Sequence, residues 1–219
     1  MMIGSGCTSI DKSLGGGFKT GEVTLIYGDA GVGKTTLALQ CAFNTVSKSF
    51  KVIYVYTDGG ADLRQVKRIW TGSLKEFKEF FFLFEPKDFD GQEQLVYMLE
   101  KIPLRRFKLI VFDTITSLYR LSLIEDNSII LSKRLNQQLA ILSWLALNND
   151  LCVLITSRVR LSSGIEEPIA TSILEYWVKT MVKIERINVR GYRRVSVEKL
   201  NGKPCSNIIE VELMDGGFR

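Results

Sequence analysis

Short, nearly unbroken apolar runs recur along this chain, and between them apolar residues return every three or four positions. The runs are EVTLIYG from Glu22, KVIYVYTD from Lys51, FFLFE from Phe81, KLIVFDT from Lys108 and LCVLITS from Leu151. A strand with one wet face alternates polar and apolar residues. A continuous apolar run fits a strand buried on both faces, as in a parallel sheet covered by helices. The intervening stretches read as helices. Thr35 to Val46 is one, and FDGQEQLVYMLEKI is another, with Leu95, Met98, Leu99 and Ile102 at helical spacing. The stretch from Ser128 to Asn148 puts Leu131, Leu135, Leu139, Leu142 and Leu145 on one stripe facing a core. After Tyr176 the rhythm becomes MVKIERI, RRVSVEKL and IIEVEL, three short strands with turns at NVRGY and NGKP. The pattern predicts an α/β class: a doubly wound, mostly parallel sheet flanked by helices, with a C-terminal antiparallel extension. In such sheets ligands bind at the carboxyl ends of the strands.

Composition narrows the picture. At 219 residues, 46% of them hydrophobic, the chain is expected to form a single domain over 1–219 with an adequate core. No repeat or low-complexity run interrupts it. LSWLAL and LCVLIT are far shorter than the roughly 20 apolar residues of a membrane span. The start, MMIGSGCTSID, lacks the layout of a secretory leader, so a cytoplasmic protein with no membrane partner is expected. There is no histidine, which excludes a Ser-His-Asp triad and histidine-bearing zinc sites. Cys7, Cys41, Cys152 and Cys205 form no Cys-x-x-Cys pair, and Cys41 and Cys152 fall in apolar segments as small buried hydrophobes. The net charge of +5 is modest, but it concentrates between Lys183 and Lys203. There Arg186, Arg190, Arg193, Arg194 and Lys199 face only Glu185 and Glu198. That cluster suits either a solvated hairpin or a polyanion surface, nucleic acid above all.

Gly28 to Thr35 spells G-x-x-x-x-G-K-T between a predicted strand and a predicted helix. Small residues let successive backbone N–H groups turn inward and form a nest for anionic oxygens at a helix N-terminus. Gly28, Asp29, Ala30, Gly31, Val32, Gly33, Lys34, Thr35 and Thr36 are therefore the candidate nucleotide cradle. Lys34 can reach the β- and γ-phosphates, and the Thr35 hydroxyl can ligate Mg²⁺. Asp113, ending LIVFD, suits either the Mg²⁺ shell or a helix N-cap, and the upstream loop favours the metal. Asp58, ending VIYVYTD and followed by Gly59 and Gly60, is the candidate general base beside Lys34. The short arm of an aspartate predicts slow hydrolysis, because an ångström of misplacement is costly. The guanine-recognition sequence N-K-x-D is absent, so the expected ligands are ATP and Mg²⁺.

These residues carry a resemblance. CTSIDKSLGGGFKTGEVTLIYGDAGVGKTTLALQ is similar to the start of the core of RecA-type recombinases. YTDGGADLRQV and FDTITSLYRLSLIEDN resemble the segments that carry their catalytic and second acidic residues. ILEYWVKTMVKIER, RRVSVEKLNGKP and FEPKDFDGQEQ resemble the archaeal RadB proteins, short paralogues of the recombinase RadA. The resemblance covers nearly the whole chain. It implies an ATP-binding core that engages DNA and assists RadA, with weak ATPase activity. Full recombinases add an N-terminal helical domain and a polymerisation segment. This chain begins almost at the core, so autonomous filament formation is not expected, while a dimer remains open.

The resemblance also implies site residues. Asp58 stands where recombinases carry a glutamate base. Thr156, Ser157 and Arg158 stand at the phosphate-sensing Thr-Asn-Gln, which adds Ser157 to the nucleotide contacts and gives Arg158 the sensing position. Gln65 stands where an arginine stacks on adenine, with Arg64 one place early. Lys199 is the one residue kept of a Lys-His-Arg run common in RadB-like chains. Recombinase cores hold DNA with two loops. Here these correspond to SLYRLSLIEDN, with Tyr119 and Arg120, and to RVRLSSGIEEPIA, with Arg158, Arg160 and a flexible LSSG. Arginine forks pair with phosphate and an aromatic can stack on a base. Tyr119 also suits core packing beside the long helix. Arg120, Arg158, Arg160, Arg193, Arg194 and Lys199 are thus the candidate DNA contacts. A KaiC-like signalling ATPase with a protein partner is the alternative on the same core.

Overall fold

The five apolar runs are strands, and they pair in parallel. The computed structural model describes residues 1–59, 63–123, 128–162 and 164–219. In chain order the elements begin with β1 (Met2–Ile3), α1 (Thr8–Ser13), β2 (Phe18–Lys19), β3 (Glu22–Tyr27) and α2 (Lys34–Val46). There follow β4 (Lys51–Tyr56), α3 (Leu63–Ile69), α4 (Leu74–Phe80), β5 (Phe81–Phe84), α5 (Phe89–Lys101) and β6 (Phe107–Asp113). Next come α6 (Ser117–Ser122), α7 (Ser128–Asn149), β7 (Cys152–Ser157), β8 (Val159–Ser162), β9 (Ile165–Pro168) and α8 (Thr171–Trp177). The chain closes with β10 (Thr180–Arg186), β11 (Tyr192–Leu200), β12 (Lys203–Met214) and β13 (Gly217–Phe218).

A nine-stranded sheet runs in the order β13-β12-β11-β10-β3-β7-β6-β4-β5. Its β10, β3, β7, β6, β4 and β5 are mutually parallel, and β10 to β13 are antiparallel neighbours. Every residue of β3 and β7 is buried, as their continuous apolar sequences require. Adjacent residues point to opposite faces. Ile26 joins Leu37, Cys41 and Leu154 in the core beneath α1 to α4. Its neighbour Leu25 joins Leu135, Leu139 and Val153 beneath α5 to α8. The leucine stripe of α7 is wholly buried, whereas Met98 on α5 turns outward at 39% exposure. Cys7, Cys41 and Cys152 are buried free thiols, and Cys205 is half-buried. Among the described residues no helix is long and apolar enough to cross a membrane.

The closing strands are held by local and by distant contacts. Asn201 and Gly202, both with positive φ, make the two-residue turn between β11 and β12. Far from it, Gln40 on α2 donates through Nε2 to the Phe218 carbonyl at 3.0 Å and accepts from the Phe218 N–H at 2.9 Å. This two-point contact fixes β13 along the helix that opens at the Gly-rich loop. The LSSG stretch differs from expectation. Instead of a loose loop, β8 and β9 form an antiparallel hairpin across it, with Ser163 outside the described residues.

Leu139 has no exposed surface and sits between α7 and the sheet. Leu139→Ala is expected to cost about 2–5 kcal/mol, the range for a core leucine truncation. Urea unfolding would show it as a lower midpoint with an unchanged slope.

Candidate functional site

Four parallel strands end at one cleft. β3 delivers the Gly-rich loop, β4 leads to Asp58, β6 ends at Asp113, and β7 ends at Ser157 beside Arg158. A cavity of about 360 Å³ lies between them, lined by Ala30, Gly31, Gly33, Lys34, Thr35, Thr36, Asp58, Gln65, Thr114, Arg158 and Leu213.

The loop is shaped by what packs against it. Gly33 has φ 112°, and a Cβ there would come within 2.8 Å of the Phe218 ring. No side chain caps α2, which begins at Lys34, so its first-turn N–H groups are left for a ligand. Lys34 is largely buried and donates through Nζ to the Gly28 and Asp29 carbonyls, at 2.9 and 2.7 Å. Burial lowers its pKa, and the nearby Asp113 carboxylate opposes that shift.

Asp113 is buried to 1% exposure. It accepts from Thr156 Oγ1 at 2.6 Å and from Tyr54 Oη at 2.9 Å. Burial pushes its pKa up, and hydrogen bonds from Thr156, Tyr54 and Thr35 together with the Lys34 charge pull it back. Hydrogen bonds from side chains of β7 and β4, with Lys34 and Thr35 of α2 beside it, set it apart from a helix cap. Thr35 and Asp113, expected to meet at a metal, lie beside each other. Among the described residues no group of three or more Cys, Asp or Glu side chains is arranged to hold a metal. A metal bound here would complete its shell with phosphate and water oxygens, as Mg²⁺ does. The uncapped helix start, the positive-φ glycines, the buried lysine and the hydroxyl–carboxylate pair fit a Mg²⁺–triphosphate.

Asp58 lies at the cleft, but its carboxylate is engaged. Arg158 makes an ion pair with Asp58 Oδ2, and Ser117 Oγ donates to Oδ1 at 3.3 Å. Gly60, after Asp58, lies outside the described residues. Ser157 shares a 3.0 Å hydrogen bond with Thr116 and donates to the Arg158 carbonyl, outside the cavity lining. Gln65, at the adenine-stacking position of the resemblance, donates to Thr36 Oγ1 at 3.0 Å and lines the cavity.

The basic candidates do not form one surface. Arg160 on β8 donates to Glu167, its cross-strand partner on β9, at 2.9 Å. Arg120 is exposed on α6, since a helix stands where a DNA loop was expected; residues 124–127 of that segment lie outside the described part. Of the two roles open to Tyr119, the structure shows the core one. It is 6% exposed, edge-on to Phe89 and hydrogen-bonded to Ser132 of α7 at 3.0 Å, so it belongs to the core and offers no face to a base. Arg193 and Arg194 point to opposite faces of the sheet. Arg193 donates to the Val32 carbonyl of the loop at 3.0 Å, and Arg194 pairs with Glu210 at 3.4 Å. Lys183 pairs with Glu166 and Glu185, and Lys199 donates to the Glu175 carbonyl. Sequence reasoning missed Leu213 and Thr114 in the lining. Nothing local marks Leu213, because β12 brings it to the cavity from the far end of the chain.

Comparison with known proteins gives a consistent picture. The Rad51 family model matches residues 1–212. The chain is 35% identical to the DNA repair and recombination protein RadB of Methanococcoides burtonii, over 98% of this chain and 96% of that one. It is 37% identical to the protein of the same description from Methanocaldococcus jannaschii, over 87% of this chain and 89% of that one. A crystal structure of the RadB recombinase superposes with a TM-score of 0.82 at 30% identity, covering 99% of this chain and 98% of that one.

Burial raises the Asp113 pKa, so above that pKa its ionised form is disfavoured in the folded chain even as it helps form the site. Asp113→Asn is expected to raise the melting temperature of the nucleotide-free protein. The same variant is expected to lose the Mg²⁺-dependent part of nucleotide binding, read by calorimetric titration with and without the metal.

Proposed function

The chain belongs to the Rad51 family, and on that premise we propose that it acts in DNA recombination and repair as an ATP-binding, DNA-binding accessory of the main recombinase RadA. The nucleotide serves mainly as a switch, and its hydrolysis is slow. The relatives described as DNA repair and recombination proteins support the role. They bear on recombination and not on the signalling-ATPase alternative.

In this reading the loop amides and Lys34 bind the triphosphate, while Thr35 and Asp113 hold Mg²⁺. The metal, when bound, offsets phosphate charge. Gln65 and Leu213, both in the cavity lining, are the candidates to border the base or ribose. Asp58 is the general base, restrained by its pairing with Arg158. With both carboxylate oxygens engaged, by Arg158 and by Ser117, Asp58 must first be released to orient a water, so slow turnover follows from that engagement as well as from the short arm.

The observation that carries the switch is the position of Arg158. It pairs with Asp58 at the cavity, and the next residue, Val159, begins the hairpin that presents Arg160. An anion in the cavity competes with Asp58 for that guanidinium. Any shift of Arg158 acts on β8 through one peptide unit. Arg160 is already paired with Glu167, yet both are near the surface, and such pairs contribute only about 0–1 kcal/mol. A DNA phosphate can replace Glu167 at little cost. Arg120, Arg194 and Lys199 remain further candidate contacts on separate surfaces.

DNA affinity measured with ATP, with ADP and without nucleotide, over a salt series, tests this directly. Affinity is expected to differ between ATP and ADP and to fall as salt rises. Equal affinity in all three states would remove the switch. Lys34→Ala is expected to abolish both ATP binding and the nucleotide effect on DNA. Arg158→Gln frees Asp58, so steady-state hydrolysis is expected to rise while the ATP–ADP difference in DNA affinity shrinks.

A further inference from the structure

The basic run of the closing strands contains two arginines that turn toward the nucleotide loop. Arg186 and Arg193 are cross-strand partners on β10 and β11. They continue the face that buries Val182, Ile184, Val195 and Val197 beside α2. Arg186 donates from its terminal nitrogen to the Ala30 carbonyl at 3.1 Å, and Arg193 donates from Nε to the Val32 carbonyl at 3.0 Å. Among the described residues neither forms an ion pair with a carboxylate, whereas Lys183 and Arg194 on the opposite face both do.

The spacing of the two accepting carbonyls gives the contacts a purpose. They belong to the peptides Ala30–Gly31 and Val32–Gly33. In a trans peptide the C=O and the N–H point in opposite directions. An arginine that fixes each carbonyl on the outer side directs the N–H of Gly31 and of Gly33 the other way. Gly31 and Gly33 line the phosphate cavity. Arg186 instead lines a separate hollow with Asp29, Val32, Glu166, Ile184 and Glu185. Charge acts in the same sense. A cation on the carbonyl polarises the peptide and strengthens its N–H as a donor. Two guanidinium groups outside any ion pair among the described residues lie close together, and burial and the Arg186 charge lower the pKa of Arg193. Bound phosphate would relieve that repulsion. The clearance is tight, for a Cβ on Gly31 would come within 2.8 Å of the Arg186 terminal nitrogen.

We infer that Arg186 and Arg193 are positioning residues of the phosphate cradle. From outside the loop they hold two peptides so that the Gly31 and Gly33 amides face a bound polyphosphate. This rests on the reading of the loop as a triphosphate site. It assigns to the closing hairpin a nucleotide role in place of the DNA contact expected of Arg193.

The test is calorimetric titration of the full chain and its Arg186→Gln and Arg193→Gln variants with ATP and with inorganic tripolyphosphate. Each variant is expected to weaken both ligands about tenfold, the scale of one lost charge-assisted hydrogen bond. Lys101→Gln removes an exposed charge on α5, across the sheet, and is expected to stay within about twofold. In the nucleotide-free protein the amide resonances of Gly31 and Gly33 are expected to move in the variants, a change that lost stability alone would not localise there. Should Arg193→Gln fail to fold, judged by its melting curve, the more exposed Arg186→Gln carries the test. Folded variants that bind both ligands like the parent overturn the inference while the triphosphate site stands. Loss of DNA binding with nucleotide affinity intact overturns it in favour of a DNA contact. A parent that binds neither ligand overturns the reading of the loop, and this inference with it.

Discussion

A carboxylate and an ammonium buried together at the edge of one sheet set the terms for everything around them. Asp113 and Lys34 are almost without solvent, and an isolated charge in such surroundings would be neutralised or expelled. Both are retained because each is answered from several directions. Thr156 of β7 and Tyr54 of β4 donate to Asp113, and Thr35 of α2 reaches it as well. Lys34 turns back onto two carbonyls of its own loop. These contacts tie the ends of β3, β4, β6 and β7 to one another. The parallel order of the strands is thus more than a way to bury apolar runs. It brings to one place the groups that make two buried charges tolerable.

Much of this was legible in the sequence, and the reason is period. Continuous apolar runs mark strands covered on both faces, and the leucine stripe of α7 marks a helix on a core. Both signals are local, and both were correct. The phosphate loop was legible because its glycines, lysine and threonine are consecutive. What the sequence hid was contact between distant segments. Arg193 and Arg194 are neighbours in the chain and look alike as charges, yet strand geometry sends one to the loop and the other to Glu210. Tyr119 suited a base stack and a core equally well until Phe89 and Ser132 were seen around it. Leu213 carries no mark of a cavity wall. The hairpin across LSSG was missed because small polar residues signal a turn without saying whether the flanks pair.

The cleft also joins opposing demands. Asp58 has the chemistry of a base, and Arg158 has the chemistry to suppress it. A site built only for turnover would keep these groups apart. On the proposed reading their union favours holding a ligand over consuming it, and Val159 follows at once with the hairpin. No long relay is needed between the cavity and Arg160, because the two lie on one short piece of chain.

The two-point hold of Gln40 on Phe218 spans 178 residues. During synthesis the helix bearing Gln40 emerges early, and the strand that completes its flank is translated much later. Until then the ring that packs on Gly33 is missing, and that side of the loop stays open to water. A ribosome-bound intermediate can therefore own the whole Gly-rich sequence and still lack the finished cradle. On the proposed reading, nucleotide recognition comes late in the birth of this molecule, waiting on a contact that reaches almost the length of the chain.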